Sequence, residues 1–157
     1  MSNAIFPGTF DPITLGHESL ISRVACVFDN IIVGVAAGVH KQAVFSLGER
    51  LALTKRSFAG VDNVQVLSFS GLLADFLREH ECRIILRGLR AVSDFDFEVQ
   101  LSHINKSLDV RIETMFLSPS SEYIHLSSTV VREVAQLGGD VTKFVSPHVA
   151  EALLRKI

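Results

Sequence analysis

The sequence predicts an α/β fold, a doubly wound five-stranded parallel sheet with helices on both faces, and three observations predict it. Short β-branched or aromatic runs alternate with longer stretches of helical period, the pattern of strand and crossover helix. Most of those runs are too continuously apolar for a sheet with one wet face, so both faces need cover. The polar and glycine-containing segments follow the strands, after Phe6, Val35, Phe69, Leu86 and Leu117. In an open parallel sheet ligands bind outside the carboxyl ends of the strands, so all five segments point to one rim.

In chain order, the first strand is expected over residues 4–6, followed by a loop and a helix whose Leu20, Ile21, Val24, Val27 and Phe28 share one face. A second strand over 31–35 precedes a loop with His40, Lys41 and Gln42, and Ser46 with Glu49 forms a capping box that starts the second helix. The third strand covers 64–69, and the helix after it, over 72–80, buries Leu72, Leu73, Phe76 and Leu77. A fourth strand over 83–86 is followed by a helix over 95–108 that carries Phe97, Leu101, Ile104 and Leu108 on one stripe. The fifth strand covers 111–117. Val130, Val134 and Leu137 then mark a helix stopped by Gly138 and Gly139, and Ser146 before Pro147 opens a last short one.

With 157 residues and no linker, repeat or low-complexity tract, one domain spanning 1–157 accounts for the chain. A content of 48% apolar and 20% charged residues excludes a disordered chain. The net charge of −2 offers no global attraction for nucleic acid or an acidic membrane, so any anion site must be built from locally gathered cations. Cys26 and Cys82 form neither a CxxC pair nor a zinc spacing and are expected as reduced, mostly buried thiols. No apolar run approaches the roughly 20 residues of a spanning helix and no basic leader precedes one, so a soluble, cytoplasmic protein is expected.

Three segments carry chemistry. The first, Pro7-Gly8-Thr9-Phe10-Asp11-Pro12-Ile13-Thr14-Leu15-Gly16-His17, links the first strand to the first helix. Gly8 lets backbone approach a ligand, and Gly16 with His17 opens a helix whose free amides favour phosphate. It is neither a P-loop nor a GxGxxG turn, and a purely structural turn is the competing reading. In the second, Arg87-Gly88-Leu89-Arg90, two guanidinium groups can present paired donors to phosphate, or can pair with Asp94, Asp96 and Glu98 in a solvated turn. The third runs from Tyr123 through Ile124, His125 and Leu126 to Ser127, Ser128, Thr129 and Arg132. Capping explains one of its three successive hydroxyls, and with Arg132 the cluster could hold a polyphosphate.

Thr14-x-Gly16-His17 matches the (H/T)xGH signature of the nucleotidylyltransferase superfamily, and the surrounding Pro-Gly-Thr-Phe-Asp-Pro closely resembles the bacterial phosphopantetheine adenylyltransferases. Arg87 to Phe95 resembles that family's RGLR segment, and Ser127 to Arg132 its SS(S/T)xxR segment. Ala36 to Lys41 keeps the spacing of its AASxxK segment with Gly38 in place of serine. The resemblance spans the chain in order. It implies a Rossmann-like fold and transfer of AMP from ATP to 4'-phosphopantetheine, giving dephospho-CoA and pyrophosphate in coenzyme A biosynthesis.

It further implies that His17 stabilises the transition state with Lys41 and Arg90, and that Thr9, Lys41, Leu73 and Arg87 hold phosphopantetheine. Thr9, Phe10, His17, Gly88, Leu89, Arg90, Glu98, Tyr123, Ile124, His125, Leu126, Ser127, Ser128 and Thr129 are implied for ATP. Magnesium is expected with ATP rather than in a protein cage, coenzyme A as a product-like inhibitor, and a homohexamer as the assembly. Nicotinate mononucleotide adenylyltransferases and cytidylyltransferases usually carry a first histidine where this chain has Thr14, and they lack RGLRAVSDF. A non-catalytic nucleotide-binding module would need fewer aligned cations. Phe6, Gly71 and Thr129 also differ from common family residues, which are tyrosine, aspartate and serine.

Overall fold

The computed structural model describes residues 2–38 and 43–157. Its strands are β1 (Asn3–Gly8), β2 (Asn30–Ala36), β3 (Val64–Phe69), β4 (Ile84–Gly88) and β5 (Glu113–Leu117). They form one parallel sheet in the order β3-β2-β1-β4-β5. The helices are α1 (Leu15–Ala25), α2 (Leu47–Ser57), α3 (Leu73–Glu79), α4 (Val92–Leu108), α5 (Ser128–Gln136) and α6 (Pro147–Lys156), with a 3₁₀ turn at Ser121–Tyr123.

The strand period of two sorts the core into two layers. Ala4, Phe6, Ile31, Val33, Val35, Val66 and Leu86 face one side, where Leu20, Ile21 and Val24 of α1, Val131 of α5 and Val149 and Leu153 of α6 cover them. Ile5, Ile85 and partly buried Ile32 and Leu67 face the other, against Ala74, Phe76 and Leu77 of α3. α4 lies beside α3 and β5. The expected two-faced cover is present because the apolar β1 and β2 runs have no polar side to turn to water.

Local signals behave as read at the starts of α2 and α6, and α1 adds an unexpected capping box. Thr14 and Ser46 close capping boxes on α1 and α2, and Ser146 precedes Pro147 at the first position of α6. Gly138 follows α5 at φ 75°, a left-handed conformation that glycine adopts without penalty.

Several expected faces differ. α1 ends at Ala25, so Val27 falls in the following turn and is exposed, and Cys26 caps the helix as an exposed thiol, while Cys82 is buried. Leu72 is the N-cap of α3 and is exposed. α5 buries Val131 rather than Val130 or Leu137, because its inward face starts one residue later. α4 begins at Val92, before the expected 95, and turns its stripe outward, leaving Phe97 61% and Ile104 56% exposed. β5 begins at Glu113 because a turn at Asp109, closed by the Ile112 amide, occupies the preceding residues. No helix among the described residues is long and apolar enough to cross a membrane.

Candidate active site

Strand order places β1 and β4 side by side at the centre, with the chain leaving β1 toward β2 and leaving β4 toward β5. The loops after β1 and β4 therefore part in opposite directions and open a crevice at the strands' carboxyl ends, the usual ligand position in a doubly wound sheet. A cavity of about 540 Å³ occupies it. His17 and Gly16 line it from α1, Arg87, Gly88 and Arg90 from the end of β4, and Ser127, Ser128 and Thr129 from the start of α5. Tyr123, Leu126 and Glu98 complete much of its wall. A second cavity of about 280 Å³ adjoins it, lined by Gly8, Thr9 and Leu73, and by Leu101, Ser102 and Asn105 of α4. Arg87 and Glu98 line both.

That shared wall is an ion pair. Arg87 Nε donates to Glu98 Oε2 at 2.8 Å and Nη2 to Oε1 at 2.6 Å, while Nη1 donates to the Pro7 carbonyl at 2.9 Å. Glu98 is the one buried residue of α4. Of the five N–H groups of the guanidinium, three are used, and two remain for an anion. Arg90 donates to the Leu126 carbonyl at 3.1 Å and lies 3.5 Å from Asp94, so it joins the loop after β4 to the segment before α5.

His17 is the third helical residue of α1 and completes its capping box. Nδ1 lies 3.1 Å from the Thr14 amide nitrogen and 3.0 Å from Thr14 Oγ1, and the His17 amide donates to that hydroxyl at 3.4 Å. Among the described residues the other ring nitrogen, Nε2, makes no protein hydrogen bond. Desolvation by burial, then the positive charges of Arg90 and Arg87, push the His17 pKa from 6.5 down to about 4, so the ring is neutral near pH 7. Gly16 lies at the second helical position, where a backbone amide has no intrahelical acceptor.

The loop that carries these groups is held from several sides. Phe10 sits at φ 52°, 2% exposed, with its ring edge-on to the His17 ring at 5.0 Å. A Cβ on Gly8 would meet the Phe10 ring at 3.0 Å, so a larger residue at the strand end would press on this packing. The buried Asp11 carboxylate accepts from the Val44 and Phe45 amides at 3.0 and 2.9 Å. Buried Arg50 donates to the Phe45, Thr9 and Ala36 carbonyls. Arg132 donates to the Asp11 carbonyl at 2.7 Å and to Thr129 Oγ1 at 3.3 Å.

The hydroxyl cluster is committed in the same way. Ser127 caps α5 by accepting from the Val130 amide at 3.1 Å, and Ser128 donates to the Pro12 carbonyl at 2.8 Å. Ser127 and Thr129 accept in these bonds and keep their hydroxyl protons to donate, so the start of α5 offers a polyphosphate two hydroxyl donors beside its free helix amides, while Ser128 is spent on Pro12.

The expected residues thus fall into groups. His17, Arg87, Gly88, Arg90, Glu98, Tyr123, Leu126, Ser127, Ser128 and Thr129 surround the larger cavity, and Thr9, Leu73, Arg87 and Glu98 the smaller. Phe10 is buried beneath His17, so only its backbone is available to a ligand. Leu89 is fastened to the Leu117 carbonyl through its amide and does not line either cavity. Ile124 is exposed, and His125 lines a separate depression with Lys143 and Phe144. Lys41 lies outside the described residues. Sequence reasoning missed Ser102, Asn105 and Thr114, whose buried Oγ1 has no hydrogen-bond partner among the described residues. A Ser-Asn pair three residues apart on one face of α4 was the available signal.

Comparison with known proteins gives a consistent result. Residues 5–134 match the cytidylyltransferase-like family model. The chain is 53% identical over 157 residues to the phosphopantetheine adenylyltransferase of Herminiimonas arsenicoxydans, covering 100% of this chain and 96% of that protein. It is 53% identical over 153 residues to the enzyme of that name from Methylococcus capsulatus, covering 98% and 94%. The solved structure of Plasmodium falciparum nicotinic acid mononucleotide adenylyltransferase complexed with NaAD superposes with a TM-score of 0.74 over 99% of this chain and 96% of that one. At 14% identity that likeness concerns the fold alone.

Proposed function

This chain belongs to the phosphopantetheine adenylyltransferases within the cytidylyltransferase-like family, and we propose on that premise that it joins the AMP part of ATP to 4'-phosphopantetheine, giving dephospho-CoA and pyrophosphate. It is a nucleotidyltransferase, and coenzyme A biosynthesis is the process its product enters. The observation that carries the reading is the pair of adjoining cavities at the carboxyl ends of β1 and β4, separated by Arg87 and Glu98. Two substrates that react with each other need two sites with a common border at the reacting atoms.

ATP takes the larger cavity, with its α-phosphate near His17 and Gly16, and its leaving phosphates toward Arg90 and the α5 amides. Gly88, Glu98, Tyr123, Leu126 and the Ser127 to Thr129 segment frame the nucleotide, and Thr9 and Phe10 reach it through backbone. Phosphopantetheine takes the smaller cavity, its arm along Thr9, Leu73 and Asn105. Its phosphate meets the two free N–H groups of Arg87 at the common border. Lys41 joins that phosphate by the family pattern.

The nucleophile is a phosphate oxygen already ionised near neutral pH, so no general base is required. It forms a bond to the α-phosphorus as the bond to the bridging oxygen breaks, and that oxygen leaves with pyrophosphate. The obstacle is repulsion between anions, and the chain answers it with alignment and preorganised donors. His17 donates a hydrogen bond where charge builds on the α-phosphate, while Arg87 and Arg90 supply positive charge that the net charge of −2 does not. Magnesium would travel with ATP, because the two acids that line the larger cavity, Asp94 and Glu98, are each engaged by an arginine.

The exposed Phe95, Phe97, Ile104 and Leu108 of α4, with Met115 nearby in sequence on β5, supply an apolar surface for self-association into the homohexamer that the family pattern implies. Coenzyme A, which contains the product's pantetheine and adenylate parts, would compete for both cavities, and a cytoplasmic location fits such a reaction. The test is pyrophosphate release from ATP with a panel of phosphorylated acceptors. Release with phosphopantetheine, and with neither nicotinate mononucleotide nor small phosphorylated alcohols such as glycerol 3-phosphate, is the expected result; release with only one of the others would replace this reading.

A further inference from the structure

Thr14 is nearly wholly buried, and its backbone amide and hydroxyl both face Nδ1 of His17. An amide nitrogen can only donate, so the ring nitrogen 3.1 Å from it must present its lone pair. A proton on Nδ1 would stand head to head with the amide proton. The Thr14 hydroxyl, which accepts from the His17 amide at 3.4 Å, is free to direct its own proton to Nδ1 at 3.0 Å. In an ordinary capping box a Glu or Gln side chain accepts from the N-cap amide, and here the imidazole fills that place.

We propose that Thr14 is a positioning residue that holds His17 as the tautomer with its proton on Nε2, so that the ring presents a fixed N–H donor to the larger cavity. The Phe10 ring, edge-on at 5.0 Å, limits the other ring motion. The charged and titratable groups lining the same cavity are Arg87 and Arg90, with Asp94 and Glu98 as their partners and Tyr123 opposite. Positive charge on His17 is opposed by both arginines and by the Thr14 amide, and its lowered pKa agrees with that geometry. A neutral donor keeps its hydrogen bond unchanged across the pH range in which phosphate substrates are ionised.

This inference rests on the reading of His17 as a transition-state stabiliser, but its test separates the two. Nitrogen NMR of histidine-labelled protein, free and with an α,β-methylene ATP analogue, reports the tautomer directly. The expected spectrum has His17 Nδ1 as the unprotonated nitrogen and Nε2 carrying the proton, without titration between about pH 5 and 8 in the free protein. A protonated Nδ1, or titration near 6.5, would overturn the proposal. Thr14→Val keeps the backbone amide, and with it the unprotonated Nδ1, but removes the hydroxyl that holds the ring, so it is expected to lower kcat about ten- to a hundred-fold while the analogue's Kd changes by less than about two-fold, and Thr14→Ser to recover most of the loss. A Thr14→Val enzyme of wild-type kcat would equally refute it. Should that variant not fold, the wild-type spectrum decides. Absence of wild-type pyrophosphate release would instead defeat the functional reading and leave the tautomer assignment standing.

Discussion

Removing Glu98 should separate two effects that the shared wall of the cavities combines. Glu98 is 9% and Arg87 30% exposed in their side chains, and two hydrogen bonds join them. Breaking a wholly buried pair costs about 3 to 5 kcal/mol. Here Arg87 keeps its bond to Pro7 and can reach water through either cavity, which lowers the cost of Glu98→Ala to about 2 kcal/mol. For 157 residues the unfolding entropy is about 0.33 kcal/mol/K, so the melting temperature should fall by about 6 °C. Arg87→Ala should cost at least as much, because it leaves a buried carboxylate without its partner. In a double-mutant cycle by calorimetry, the two losses should overlap by at least about 1 kcal/mol. Phosphopantetheine affinity, measured by titration calorimetry, should fall about ten-fold in Glu98→Ala as the guanidinium loses its fixed orientation. Additive stability losses, with coupling below about 0.5 kcal/mol, would refute the pairing and with it the argument that Glu98 aims Arg87.

Other outcomes follow from the same geometry. His17→Ala should bind ATP nearly as well as the parent and fold normally, yet lose about 10² to 10³ in single-turnover rate, the scale of one preorganised donor. Arg87→Ala should chiefly weaken phosphopantetheine and Arg90→Ala chiefly ATP, each by about 1.5 to 3 kcal/mol, as titration of both ligands against both variants would read. Gly34→Ala should destabilise by about 1 to 3 kcal/mol in denaturant titrations, since its Cβ would lie 3.0 Å from Phe76 and 3.3 Å from Phe69, two rings already stacked at 4.7 Å. Between pH 6.5 and about 4 the unfolded chain binds the His17 proton that the folded chain refuses. Stability should therefore fall as pH drops through that window, and His17→Ala should flatten the fall in melting temperature.

Much of the site was legible from residues close in sequence. The Thr14-x-Gly16-His17 turn, the two arginines around Gly88 and the hydroxyls from Ser127 all follow strands, so their common rim followed from strand polarity alone. Their chemistry was less legible. Beyond the polyphosphate contact suggested for the hydroxyl cluster, Arg132 reaches the Asp11 carbonyl, 121 residues away, and ties two loops together. Asp11 stands within the Pro-Gly-Thr-Phe-Asp-Pro motif but its role as a buried brace, like that of Arg50, depends on partners distant in sequence.

The sequence by itself determined the five strands' existence, the capped helix starts and the end of the sheet where chemistry gathers, because period, caps and glycine stops act over a few residues. Tertiary structure decided the strand order that sets the β1 and β4 loops against each other, and with it the pairing of Arg87 with Glu98 and the second cavity lined from α4. It also decided that the apolar stripe of α4 faces outward. Helical period shows that one face is apolar, whereas what covers that face depends on how distant elements pack against the sheet.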